Sequence, residues 1–550
     1  MEKIWLKSYP KGVPYEIDPN QYQSLVELFL TSCKKYHDRP SFSNLGTEIS
    51  YQELEQYSRY FAAYLQTTLA LKKGDRFAIM LPNLLQYPIA LFGALRAGLT
   101  VVNVNPLYTP RELTHQLNDA KVSALLVLEN FANTVEASLN ELSLQHIIIT
   151  KVGDMFPFIK RTFINAFLKY VKKSIPSYHF HALSFQDCLN EGKSLSFNEV
   201  DLTPKDIAVL QYTGGTTGVS KGAILTHRNL IANVVQNVAW IKPFMNVGNE
   251  IIITAIPLYH IFSLTANCLT FIAIGSKDIL ITNPKDLKGF IKQIKKIKFS
   301  TFTGVNTLFN ALLNQPEFSK CDFSHMKLTL GGGMAVKKSV ADRWQEVTGK
   351  PLLEAYGLTE TSPAVTINPL NLEKYNGTVG LPIPSTNVSI RNDEGKELGI
   401  NEIGELWVQG PQVMEGYWNN PEETEKVLTS DHWLKTGDIA LVNDKGFVKL
   451  IDRKKEMILV SGFNVYPNEV EEVLTMHPKI LEVGVKGVPD INTGEAVKAF
   501  IVRKDPNLTK EEIIHFCREK LTGYKVPHQI EFREQLPKTP VGKILRRELA

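Results

Sequence analysis

The stretch from Arg76 to Pro106 most narrows the folds open to this chain. RFAIMLPN (76–83) reads as a strand, YPIALFGALRAG (87–98) as a helix that ends on glycine, and TVVNVNP (100–106) as a second strand. Strand, helix, strand is a βαβ unit, and two strands joined by such a crossover run parallel. SALLVLEN (123–130), IIITAIP (251–257) and FSTFTGV (299–305) have the same apolar texture. The fold class expected is α/β.

A chain of 550 residues exceeds one compact core, so at least two domains are expected. With 43% hydrophobic and 21% charged residues the composition excludes wholesale disorder. A formal charge of +4 is too small to mark a nucleic-acid binder. Cys33, Cys188, Cys268, Cys321 and Cys517 are scattered, so neither a disulfide framework nor a metal cluster is expected. No apolar stretch is long enough to span a bilayer and the N-terminus lacks a signal peptide, which predicts a cytoplasmic enzyme.

After about residue 400 the texture changes. GELWVQG (404–410) and ALVNDKGFVKLIDR (440–453) predict strands, with hairpin-turn chemistry at Asn443 to Gly446. In YPNEVEEVL, Asn468 is placed as a helix N-cap with Glu471 three residues on, the spacing of a capping box. LEVGVKGV (481–488) and AVKAFIV (496–502) predict strands. A domain boundary falls near Asp452.

Residues 156–173, FPFIKRTFINAFLKYVKK, hold five basic residues and no acidic one. Phe156, Ile159, Phe163, Ile164, Phe167, Leu168 and Val171 recur at helical spacing. Two readings stay open: a helix lying on an anionic membrane surface, or an ordinary helix packed on its own domain with a solvated basic face.

YTGGTTGVSKGA (212–223) is the chemical signal. It differs from the Walker A pattern because Lys221 is followed by Gly222 rather than Ser or Thr. A strand leads in, an apolar run (223–225) leads out, and a helix is expected from Thr226, its candidate cap. The loop would hold phosphate through backbone N–H groups, the hydroxyls of Thr213, Thr216 and Thr217, and the Lys221 ammonium.

Five stretches in order, YTGGTTGVSKGA, YGLTETSP (356–363), KTGD (435–438), DRKKEMILVSGFNVYP (452–467) and PKTPVGKILRREL (537–549), resemble the signatures of the adenylate-forming superfamily of acyl-CoA synthetases, luciferases and adenylation domains. The wording of PLYHIFSLT (257–265), GVNTLFNALL (304–313), GPQVMEGYW (410–418) and LTGYKVP (521–527) is similar to bacterial long-chain fatty-acid–CoA ligases. The resemblance implies a large, multi-subdomain N-terminal AMP- and acyl-binding domain (1–451) and a small, mobile α+β C-terminal domain (452–550) hinged near Asp452. It implies ligation of a long-chain fatty acid to coenzyme A through acyl-AMP, with Mg²⁺, releasing AMP and pyrophosphate.

The resemblance also implies roles. Lys543 would bridge carboxylate and α-phosphate, Thr359 would touch the α-phosphate, and His260 would border the acyl site. Glu360 would ligate Mg²⁺, with Thr213 as its partner in the loop. Nucleotide and coenzyme contacts are expected from Tyr212, Thr213, Gly214, Gly215, Thr216, Thr217, Gly218, Val219, Ser220, Lys221, Gly222 and Ala223. They are expected also from Gly331, Gly332 and Gly333 beside adenine, from Tyr356 stacking on it, from Asp438 and Arg453 at the ribose, and from Gly462 along the pantetheine path. Residues 305–313 and Met334 would line the acyl tunnel. Peripheral contact with the inner face of the membrane is expected, without nucleic acid; oligomeric state, a homodimer included, stays open.

Overall fold

The computed structural model describes residues 2–213, 220–491, 493–539 and 542–549. The βαβ unit forms as strand Arg76–Met80, helix Gln86–Arg96 and strand Thr100–Asn103, with Arg76 opposite Thr100 in parallel register. Every residue of that helix is buried, so its apolar surface has no polar face. Arg96, at its end, pairs with Glu55 at 2.8 Å. Gly98 then turns the chain at φ +78°, where a Cβ would stand 2.8 Å from the Val200 side chain.

Among the described residues these strands belong to a seven-stranded sheet. Its order is Leu183–Ser184, His146–Thr150, Val122–Leu128, Arg76–Met80, Thr100–Asn103, Ile207–Thr213, Lys221–Thr226. A nine-stranded sheet carries Ile251–Thr254, Thr301–Gly304, Leu328–Gly331 and Leu353–Gly357, with parallel pairing between Ile251–Thr254 and Thr301–Gly304 and onward to Leu353–Gly357. One continuous apolar core joins the two sheets through helices Leu25–Tyr36, Tyr51–Thr67, Gln86–Arg96 and His227–Ile241. Phe29 stacks on Phe92 within it, ring centres 3.9 Å apart.

Strands Asn387–Arg391, Gly404–Gln409, Leu434–Val442 and Val448–Arg453 make an antiparallel sheet. The expected hairpin turn is there: Asn443 Oδ1 accepts the N–H groups of Lys445 and Phe447. The last unit is a five-stranded sheet, in which Ile480–Asp490 and Gly494–Arg503 pair antiparallel, packed with helices Pro467–Thr475 and Lys510–Arg518 around its own apolar core.

Two sequence expectations are corrected. Asn468 is not the N-cap: Pro467 occupies the first helical turn, Tyr466 stands before it and no side chain caps the helix. Asn468 instead accepts from Arg546 at 2.5 Å, and Glu471 accepts the Val485 N–H at 2.9 Å. A proline preset to helical φ moved the helix start upstream. In the basic segment, helix Phe158–Ala166 continues as a π-turn over Phe167–Val171. Its apolar side chains do not all face inward. Phe156 is buried and Ile164 packs on the core, whereas Phe158, Ile159, Phe163, Tyr170 and Val171 are 66–82% exposed.

Candidate active site

A cavity of about 3090 Å³ opens where the carboxyl ends of the two sheets meet. Asn103 and Thr213 reach it from the seven-stranded sheet, and Ala255, Val305 and Gly332 from the ends of parallel strands in the other. Carboxyl ends of parallel strands are where α/β proteins bind ligands, because the connecting loops and exposed backbone groups gather there.

The glycine-rich loop joins two antiparallel strands, Ile207–Thr213 and Lys221–Thr226, with Thr213 opposite Lys221. Gly214, Gly215, Thr216, Thr217, Gly218 and Val219 lie outside the described residues. Tyr212, Thr213, Ser220 and Lys221 border the cavity, while Gly222 and Ala223 are buried behind it and do not. The Tyr212 hydroxyl donates to Asp119, and a Cβ on Gly222 would stand 3.0 Å from the Tyr212 ring. Glycine there is thus a packing requirement of the returning strand. Thr226 caps the following helix: its hydroxyl accepts the Asn229 N–H at 3.2 Å.

Lys221 is not a bare cation. Its Nζ lies 2.5 Å from Glu423 and 4.8 Å from the Tyr417 ring centre. The hydrogen bonds from Lys221 and Lys426 hold the Glu423 carboxyl down at about 2. Glu360 lies in the short turn Thr359–Thr361, and its Oε1 accepts the Tyr417 hydroxyl at 2.6 Å. Thr359, Glu360 and Tyr417 all border the cavity. Among the described residues no group of three or more His, Cys, Asp or Glu could hold a metal alone. One carboxylate with a nearby threonine hydroxyl suits a hard cation that keeps water and phosphate oxygens as its other ligands, which is how Mg²⁺ binds.

Opposite lies the KTGD turn. Asp438 is buried; it accepts the Tyr356 hydroxyl at 2.6 Å and pairs with Arg453 Nε at 3.0 Å. Asp438 itself does not line the cavity, but Tyr356 and Arg453 do. Each carboxylate oxygen keeps a lone pair for a further donor. Gly332 and Gly333 border the cavity and Gly331 does not. A Cβ on Gly332 would meet the Phe262 ring at 2.9 Å, and Gly333 sits at φ +74°.

Lys543 enters from the small unit. Thr307 Oγ1 donates to the Gly542 carbonyl at 3.1 Å, and the Lys543 N–H bonds Thr539 Oγ1 at 3.0 Å. Gly542 has φ +87°, and a Cβ there would stand 2.5 Å from Thr307 Oγ1. Burial, then repulsion from Arg453, brings the Lys543 ammonium down to about 8. A shared acidic knot anchors the segment. Arg546 bonds Glu471 at 2.9 Å, Asp452 at 3.3 Å and also Glu456.

His260 borders the cavity yet is walled off from bulk solvent, and burial pushes its imidazole down to about 4. Its Nδ1 accepts the Phe262 N–H at 3.3 Å, so the neutral ring carries its proton on Nε2. It is a fixed donor and not a base at neutral pH. Val305, Thr307, Leu308 and Ala311 border the cavity as expected of a tunnel wall; Met334 does not. Gly462 sits at φ +84° in an exposed turn and is not part of the cavity.

The sequence profile described as AMP-binding enzyme matches residues 29–418, and that described as AMP-binding enzyme C-terminal domain matches residues 469–543. The chain belongs to the AMP-binding enzyme family. The large AMP-binding domain and the small C-terminal domain of this adenylate-forming superfamily are thus both present. This AMP-binding enzyme is 54% identical to the long-chain-fatty-acid–CoA ligase of Escherichia coli O157:H7 over 550 residues, covering 100% of this chain and 98% of that one. It is 40% identical to the ligase of the same name from Bacillus subtilis (strain 168), with 100% and 98% covered. Among solved structures, ATP-bound MatB from Rhodopseudomonas palustris aligns with TM-score 0.81 at 26% identity, covering 95% of this chain and 98% of that one. The anthranilate CoA ligase AuaEII with anthranoyl-AMP aligns at TM-score 0.86 and 23% identity, covering 97% and 98%, and speaks for the fold.

Sequence reading missed several groups of the AMP-binding enzyme's site. Tyr417 and Glu423 meet Glu360 and Lys221 across long stretches of chain, and no local pattern marks such pairs. Arg546 was quoted within KILRR, but its three carboxylate partners are visible only in the fold.

Proposed function

We propose that this chain joins a long-chain fatty acid to coenzyme A in two steps at one cavity, consuming ATP and releasing AMP and pyrophosphate. The observation that carries the reading is that Lys543, Arg453, Thr359, Glu360 and Lys221 converge on a cavity whose other branch is apolar, bordered by Ile241, Phe271 and Leu328. The full-length relatives named as long-chain-fatty-acid–CoA ligases support the choice of substrate.

In the first step a carboxylate oxygen bonds the α-phosphorus as the bond to pyrophosphate breaks. Both reactants are anionic, so alignment and charge cancellation are the work required. Lys543 would lie between carboxylate and α-phosphate, with Thr359 donating to the phosphate. Tyr356 would face adenine, and Asp438 and Arg453 the ribose. Lys221 would leave Glu423 for the outer phosphates. His260 Nε2–H would orient the carboxylate. Glu360, steadied by Tyr417, would hold Mg²⁺ with Thr213; the ion supplies charge neutralisation on the phosphates. In the second step the thiol sulfur of coenzyme A takes the acyl carbon, AMP leaves and the thiol proton is released.

The domain boundary we place near Asp452, with residues 452–550 as the unit that turns between steps. Asp452 is buried and receives the N–H groups of Arg453 and Asn468, each at 2.7 Å, a rigid pivot at the end of the last antiparallel strand. Gly462 would approach the thiol path only after that turn.

The test is pyrophosphate release with palmitate, ATP and coenzyme A. Omitting the fatty acid should abolish it, and the nucleotide product should be AMP; ADP would refute the reading. A pH dependence follows from Lys543. The charged form is the active one, so kcat/KM for acyl-AMP formation should be level below about pH 8 and fall about tenfold per unit above it. The plot would be made with Lys543→Arg as control, whose fall should vanish from the accessible range.

A second reading concerns the membrane. Among the described residues no helix is long and apolar enough to cross a bilayer. Helix Phe158–Ala166 and its π-turn nevertheless present Phe158, Ile159, Phe163, Tyr170 and Val171 to solvent beside Arg161, Lys169, Lys172 and Lys173. Lys160 turns inward to the Leu45 carbonyl and Thr47, fixing the helix to the body. Such a face is matched by an anionic bilayer, which also stores the substrate. Sedimentation with phosphatidylglycerol vesicles at low salt should recover the chain. Ile159→Glu with Phe163→Glu should lower the bound fraction at least tenfold.

A further inference from the structure

Helix His227–Ile241 runs alongside strand Ala364–Ile367, from the catalytic turn outward. Asn233 bonds the Ala364 carbonyl at 2.9 Å, and Trp240 bonds the Asn368 carbonyl at 3.3 Å. Asn237 lies between them, one turn or about 6 Å beyond Asn233. It is 3% exposed and borders the cavity together with Ile241, Thr270, Phe271 and Ile367. A carboxamide in that apolar wall is out of place.

Its hydrogen bonds fix which atom is free. The Thr270 hydroxyl donates to the Thr265 carbonyl at 2.7 Å. Its single proton is thus spent, and toward Asn237 it can only accept. Asn237 Nδ2 is the donor to it, at 3.3 Å. That leaves Oδ1, a buried acceptor with no hydrogen-bond partner among the described residues. Because the orientation is set by Thr270, the unfilled group asks for a donor; a keto or ether oxygen would not serve.

We propose that the acyl branch of the cavity takes fatty acids carrying a hydroxyl group along the chain, and that Asn237 Oδ1 receives the proton of that hydroxyl. Asn237 is then a specificity-determining residue of the ligase reaction, and the inference rests on the fatty-acyl reading of the cavity. A plain alkyl chain covers the oxygen and leaves it unpaired, which disfavours binding. A site built to hydrogen-bond a hydroxyl discriminates far better than an apolar pocket confronted with an extra one.

The experiment measures kcat/KM by pyrophosphate release for hexadecanoic acid and for its monohydroxy isomers, substituted from mid-chain to the terminal carbon. It uses the native chain and Asn237→Leu, which fills a similar volume without an acceptor. In the native chain, one position or two adjacent ones should exceed the other isomers by about tenfold or more. In Asn237→Leu that advantage should disappear, and hexadecanoic acid itself should be used better than by the native chain. A native series that is flat within twofold overturns the proposal, and so does an advantage that survives in Asn237→Leu. Should that variant not fold, Asn237→Val takes its place, and the native series alone is still decisive. Absence of release with every acid, the unsubstituted one included, would instead overturn the ligase reading on which this one rests.

Discussion

Lys543→Ala should slow acyl-AMP formation by two to three orders of magnitude while leaving the conversion of pre-made acyl-AMP to the thioester largely intact. The magnitude follows from charge. One ammonium at about 4 Å from an anion, at an effective dielectric near 20, contributes roughly 4 kcal/mol, or about a thousandfold in rate. The separation of the two steps follows from placement. Lys543 enters the cavity from the small unit on a turn held by Thr307, and a turn of that unit between steps would withdraw it. Rapid-quench measurement of each half-reaction decides the matter; equal loss in both would remove the assigned role.

Arg546→Ala should destabilise the small unit by about 3–5 kcal/mol, the usual effect of removing one partner from a buried ion cluster. The guanidinium is 14% exposed and stands among Asp452, Glu471 and Glu456, of which the first two are 0% and 7% exposed. Without it these carboxylates face one another in a dry site, with Lys337 at 3.6 Å from Glu471 as a remaining partner. Hydrogen exchange should show protection lost across strands Ile480–Asp490 and Gly494–Arg503 and retained in the two large sheets. Uniform loss across all sheets, or none, would contradict the local character of the cluster.

Much of this was legible in the residues because it is local. The βαβ unit, the strand–loop–strand around residues 212–223, and the Asn443 turn each depend on neighbours a few positions apart. Where the reading failed, a competing local choice or a distant partner decided. Pro467 displaced Asn468 as the helix start. Met334 was expected in the tunnel wall and points elsewhere, because the chain at Gly333 takes a left-handed turn just before it. The periodicity of residues 156–173 revealed a helix but could not reveal which apolar side chains meet protein and which meet solvent; that depends on how Phe156 and Ile164 dock. Asn237 carried no signal at all, since an asparagine in an amphipathic helix is commonplace until its wall is known to be apolar.

The seam between strand Lys221–Thr226 and residues 415–418 bears on biosynthesis. Ile224 donates to the Gly416 carbonyl, and Trp418 to that of Gly222, sealing the border strand of the seven-stranded sheet. Glu423, the partner of Lys221, follows it by 202 residues. At ribosomal speeds that interval lasts on the order of ten to forty seconds. Throughout it the nascent chain holds a raw strand margin and a half-made phosphate cradle. Prematurely terminated products are therefore inert toward nucleotide and disposed to stick to one another, and a chaperone that shields strand margins would have its natural client in this interval.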